Sequence, residues 1–127
     1  MATNPASILI VDDDPKIRDL TSQYLIDQGL NVHSANGGKE MDTFIASHQV
    51  SLIILDLMMP EMDGYELLKH CKASGYFQEV PIIILSAEET SSDRIKCLEL
   101  GAIDYLVKPF NPKELKLRVN RILSITK

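Results

Sequence analysis

Leu52-Ile-Ile-Leu-Asp56 decides how this chain is read: four consecutive apolar residues that end on a carboxylate. A strand with one face in water alternates apolar and polar residues, whereas an unbroken apolar run suits a strand covered on both faces, as in a parallel sheet. The pattern recurs on either side, in Ile8-Leu-Ile-Val11 and Ile82-Ile-Ile-Leu85. Working outward gives five β-rich segments, Ser7–Val11, Asn31–Ala35, Val50–Leu55, Val80–Leu85 and Ile103–Val107. Asn31-Val-His-Ser-Ala35 is the most polar of the five, which predicts an edge strand.

Helical periodicity fills the intervals. Ile17, Leu20 and Tyr24 fall at three- and four-residue steps, as do Met41, Phe44, Ile45 and His48, then Gly64, Leu67, Leu68 and Cys71, then Leu115, Val119 and Ile122. A fourth, weaker pattern spans about Ser91 to Leu100, with Ile95 and Leu98 expected to face inward. Asp14-Pro15 reads as a helix cap followed by the first helical residue, and Asn111-Pro-Lys-Glu114 resembles a capping box. Gly29 and Gly101 stand where the first and fourth helices should stop. Five alternating β and α segments with buried strands predict an α/β doubly wound sheet with right-handed crossovers.

The 127 residues suit one domain, and residues 1–127 are expected to form a single unit. At 45% hydrophobic the chain has ample material for a core, and no apolar run reaches the ~20 residues that cross a bilayer. A formal charge of −5 argues against nucleic acid and anionic membrane as direct partners. Cys71 and Cys97 lie far apart with no neighbouring ligand pair, so neither a disulfide framework nor a zinc site is expected. The N-terminal Met1-Ala-Thr-Asn-Pro5 lacks the profile of a secretory signal, and the expected compartment is the cytoplasm. His33, His48 and His70 share no spacing and are expected at the surface.

In doubly wound sheets ligands bind beyond the carboxyl ends of the strands, so the residues there are read first. The first strand ends in Asp12-Asp13-Asp14, the third in Asp56, the fourth in Ser86 and the fifth in Lys108. Clustered carboxylates repel unless a cation joins them, and hard oxygen ligands suit Mg2+. A carboxylate such as Asp56 serves as a nucleophile toward phosphorus, and a metal, an ammonium and a hydroxyl would each cover one equatorial oxygen.

These residues carry a resemblance. Ile8-Leu-Ile-Val-Asp-Asp-Asp14, Leu55-Asp-Leu-Met-Met-Pro-Glu-Met-Asp-Gly64, Leu85-Ser-Ala87, Gly101-Ala102 with Asp104-Tyr105, and Lys108-Pro-Phe110 together resemble the receiver domain of two-component response regulators. The resemblance implies a flavodoxin-like fold with strand order 2-1-3-4-5. It implies Asp56 as phosphoacceptor, and Mg2+ held by Asp12, Asp13, Asp56 and the Met58 backbone carbonyl. Ser86 would be the switch hydroxyl, Tyr105 the aromatic that follows it, and Lys108 the ion-pair partner of the phosphoryl group. A cis bond is implied at Lys108-Pro109. The implied partners are a sensor histidine kinase or phosphotransfer protein, an output domain or downstream protein, and a second copy of the chain through the helix 4–strand 5–helix 5 face. In receivers joined to winged-helix domains the position of Ile103 is commonly Asp. This chain departs there while Glu114 and Arg118 match.

Two other readings compete. A haloacid dehalogenase-like phosphatase also uses Asp and Mg2+, but places its Asp-x-Asp after the first core strand. A docking module that never accepts phosphate would not need every reactive position. A flavin-binding flavodoxin is set aside, because three aspartates stand where its phosphate loop would be.

Overall fold

The computed structural model describes residues 7–56, 58–59, 62–74, 80–86 and 91–125. The sheet strands are β1 (Ser7–Val11), β2 (Asn31–Ala35), β3 (Leu52–Asp56), β4 (Ile82–Ser86) and β5 (Asp104–Val107). The helices are α1 (Pro15–Ile26), α2 (Gly38–Ser47), α3 (Gly64–Ala73), α4 (Ser91–Glu99) and α5 (Pro112–Ile125). All sheet pairings are parallel and the spatial order is β2-β1-β3-β4-β5, with β2 at one edge as its polarity predicts. A separate two-residue antiparallel ladder, Met58–Met59 with Met62–Asp63, follows β3.

The unbroken apolar runs are covered on both sides. Leu9, Val11, Ile53, Leu55, Ile82 and Ile84 join the core beneath Met41, Leu67, Leu68, Cys71 and Cys97, the layer of α2, α3 and α4. Their sequence neighbours Ile8, Ile10, Leu52, Ile54, Ile83 and Leu85 point the other way, onto Leu25, Leu115, Val119 and Ile122 of α1 and α5. The two-residue period of a strand sends alternate side chains to opposite layers, so a run without polar residues is what this position demands.

The ends of the elements follow local chemistry. Asp14 caps α1, its Oδ1 accepting from the Lys16 N–H at 2.9 Å, with Pro15 as the first helical residue. Asn111 Oδ1 accepts from the Lys113 N–H at 2.9 Å at the start of α5. Glu114 does not close a capping box. It turns to Arg118, 3.3 Å away. Gly101 has φ +115° and lies under Lys72: a Cβ there would meet Lys72 Cε at 2.9 Å.

Two helices present other faces than their periodicity suggests. In α1 the buried positions are Thr21 and Leu25, while Leu20 is 56% exposed. One helical residue is about 100° of rotation, so seating Thr21 on the sheet carries Leu20 outward. In α4 the core anchor is Cys97, and Ile95 and Leu98 are 54% and 44% exposed. Their three-residue spacing is real, but it marks an apolar outer face. No described helix is long and apolar enough to cross a membrane.

Candidate functional site

Parallel alignment puts the carboxyl ends of β1, β3, β4 and β5 on one rim. β1 and β3 run side by side with Val11 opposite Leu55, so Asp12 and Asp56 emerge as neighbours. Asp12, Asp13 and Asp56 each present a carboxylate oxygen, all within 4.8 Å of one another. Lys108, just beyond β5, reaches across: its Nζ lies 3.3 Å from Asp12 Oδ2 and 3.3 Å from Asp56 Oδ1. Asp12 and Asp56 are buried, so the ammonium compensates charges that have largely left water. Among these described groups three carboxylates face one ammonium, leaving two net negative charges. A divalent cation balances that number, and an all-oxygen donor set suits Mg2+. The residues present fit such an ion.

Ser86 ends β4 and is buried; its carbonyl accepts from the Lys108 N–H at 2.7 Å, which ties the β4 and β5 ends together. The Lys108–Pro109 peptide is cis. Tyr105, on β5 opposite Ile84, is buried in the α2–α3–α4 layer, with the Arg94 guanidinium 5.7 Å from its ring centre. The Met58 backbone lies in the short ladder opposite Asp63. The neighbouring Leu57, Pro60 and Glu61, and Ala87 after Ser86, fall outside the described residues.

The expected reactive side chains of Asp12, Asp13, Asp56 and Lys108 thus meet at one point, and Asp14 is the helix cap as its neighbouring Pro15 predicts. One contact has no counterpart in the sequence reading. Arg18, one turn into α1, donates from Nη1 to the Asp12 carbonyl at 2.7 Å. Its only signal in the sequence is its place six residues after Asp12, where the first turns of α1 fold back over the loop.

The family model of the response regulator receiver domain matches residues 8–120. The chain belongs to this family. The receiver domain of Francisella response regulator 1452 has a similar structure, with a TM-score of 0.89 at 37% identity over 98% of this chain and 100% of that one. The Vibrio cholerae chemotaxis protein CheY4 gives 0.88 at 33% identity, covering 94% of this receiver and 99% of its own chain. Among curated relatives, the transcriptional regulatory protein GltR of Pseudomonas aeruginosa is 42% identical over 123 residues, 97% of this chain and 51% of GltR. The probable transcriptional regulator ycf27 of Porphyridium aerugineum is 43% identical over 116 residues, 91% of this chain and 47% of that protein. The receiver spans about half the length of the curated relatives it matches. As a receiver domain, it is a signalling module.

Cys71, Cys97 and the histidines stand apart from the rim. Both cysteines are buried and neither is in a disulfide, and burial pushes the Cys71 thiol up to about 12, with the Asp42 charge adding to the effect. His48 stacks on Phe44 with ring centres 4.1 Å apart, and His70 pairs with Asp42 at 3.0 Å.

Proposed function

We propose that this receiver accepts a phosphoryl group on Asp56 and passes the change to a partner through the α4–β5–α5 face. The donor is a phosphohistidine on a sensor kinase or phosphotransfer protein, or a small acyl phosphate. An Asp56 oxygen forms the new O–P bond as the P–N or P–O bond of the donor breaks, its electron pair leaving with the donor. Asp12, Asp13, Asp56 and the Met58 carbonyl are the residues that would hold Mg2+, which supplies charge neutralisation at the phosphoryl oxygens when bound. Lys108, which now spans Asp12 and Asp56, follows the negative charge onto the phosphoryl group, and the Ser86 hydroxyl donates to another of its oxygens.

The relay is a population shift: Ser86 closes on the new oxygens and Tyr105 follows it further inward, reshaping α4, β5 and α5. A groove lined by Arg94, Leu98, Tyr105, Glu114 and Arg118 runs along the face that would change. This face is the one we assign to a downstream protein, an output domain or a second receiver. Relatives named as transcriptional regulators and about twice as long support an attached output domain. Residues 1–127 would act as one receiver unit in the cytoplasm.

The observation that carries this reading is the Lys108 bridge between Asp12 and Asp56 inside the carboxylate cluster. Incubation with Mg2+ and acetyl phosphate should add one phosphate mass to the wild type and none to Asp56→Asn. An unmodified wild type, or an adduct that survives the substitution, would overturn it. Sustained turnover of a phosphate ester would favour the dehalogenase-like reading instead.

A further inference from the structure

Every polar group of Asp12 has a partner. Its N–H donates to the Ala35 carbonyl at 3.0 Å, and its Oδ1 accepts from the Asp14 N–H at 2.9 Å. Its Oδ2 faces Lys108 at 3.3 Å, and its carbonyl accepts from Arg18 at 2.7 Å. Asp13 differs. Among the described residues its carboxylate has no hydrogen-bond partner, yet its oxygen lies within the cluster. The place of that oxygen is therefore set by the backbone that carries it, and the peptide joining Asp12 to Asp13 is the one whose carbonyl Arg18 holds.

We propose that Arg18 is a positioning residue for the cation site, fixing the Asp12–Asp13 peptide so that the Asp13 carboxylate stays within reach of Asp12 and Asp56. The inference rests on the acidic cluster being the Mg2+ site of the proposed function. Arg18 is half-buried, and a charged donor gives a stronger, more directional bond to the carbonyl than water would. Partners that orient ligands from behind commonly alter metal affinity by about 10–100-fold when removed.

The sign of the effect separates positioning from plain electrostatics. A guanidinium near a cation site repels the incoming ion, so removing it as a mere charge would tighten Mg2+ binding. Removing it as a positioning group loosens Mg2+ binding. Calorimetric titration of Mg2+ into Arg18→Ala and Arg18→Met should show roughly tenfold weaker affinity than the wild type, with Arg18→Lys recovering part of the loss. Ala and Met are strong helix formers, so α1 should persist, which circular dichroism checks.

A second measurement needs no metal. The Asp14 amide, bonded to Asp12 Oδ1, should exchange its hydrogen faster in Arg18→Ala. Unchanged or tighter Mg2+ binding, or unchanged exchange at Asp14, overturns the proposal. Normal Mg2+ affinity with slow transfer from a phosphohistidine donor also overturns it, in favour of a docking role. The two readings fail separately. A wild type that takes no phosphate from acetyl phosphate defeats the Asp56 assignment, whereas a phosphorylated wild type beside variants of normal affinity defeats only Arg18.

Discussion

Lys108 and Asp56 are 52 residues apart in sequence and 3.3 Å apart in the folded chain, with Asp12 held by the same ammonium. The contact exists because β3 and β5 flank β4 in parallel, so their carboxyl ends point to one rim. With the ammonium in place, two buried carboxylates coexist near a third.

Replacing Lys108 with Met should expose the strain among those carboxylates. We expect the metal-free protein to lose about 2 kcal/mol, less than a fully buried pair because the lysine is partly solvated. Added Mg2+ should restore more stability to Lys108→Met than to the wild type, since the ion takes over the lost compensation. Urea unfolding with and without Mg2+ measures both, and equal gains in the two proteins would contradict the shared-cation account.

Asp13→Asn should act in the opposite direction on the metal-free fold. It removes one of three clustered negative charges, a stabilisation of roughly 1 kcal/mol, the Coulomb energy of close charges in water. Mg2+ should then stabilise the variant far less than the wild type. A thermal melt in chelator and in Mg2+ gives both comparisons.

The Cys71 thiol carries a pH prediction. Its folded value is raised from 9.0 to about 12, so the unfolded chain releases this proton first. Between these values the unfolded state binds fewer protons, and stability falls as pH rises, by up to ~1.4 kcal/mol per pH unit from this group. Below pH 9 the contribution is constant. Urea titrations across this range should show a steeper decline in the wild type than in Cys71→Ala, and the native thiol should resist alkylation at pH 8.

Gly101→Ala should destabilise by about 1–2 kcal/mol, from its positive φ and from the Cβ contact with Lys72. Lys72→Ala removes the contact but not the φ penalty. The double variant should therefore recover only part of the loss, and full recovery in a double-mutant cycle would assign the whole effect to the lysine.

The strands and their stacking were legible because buried parallel strands leave an unbroken apolar run, and Ile8–Val11, Leu52–Leu55 and Ile82–Leu85 show little else. Helix faces were less legible. Leu20, Ile95 and Leu98 have helical spacing, yet Thr21 and Cys97 occupy the core. Periodicity gives the existence of a helix, whereas its rotation depends on which side chain the facing sheet can seat. The carboxylates and Lys108 were readable as strand-end residues.

The linear order of residues thus determined the parallel α/β architecture and which chemical groups stand at the strand ends, because both follow from local pattern and connection length. Only the tertiary structure decided that Lys108 serves Asp12 and Asp56 at once, that Arg18 grips the Asp12 carbonyl, and that Tyr105 lies buried beside Arg94. Such contacts depend on ångström-scale distances across the sheet and on helix rotation, which are set by packing rather than by spacing along the chain.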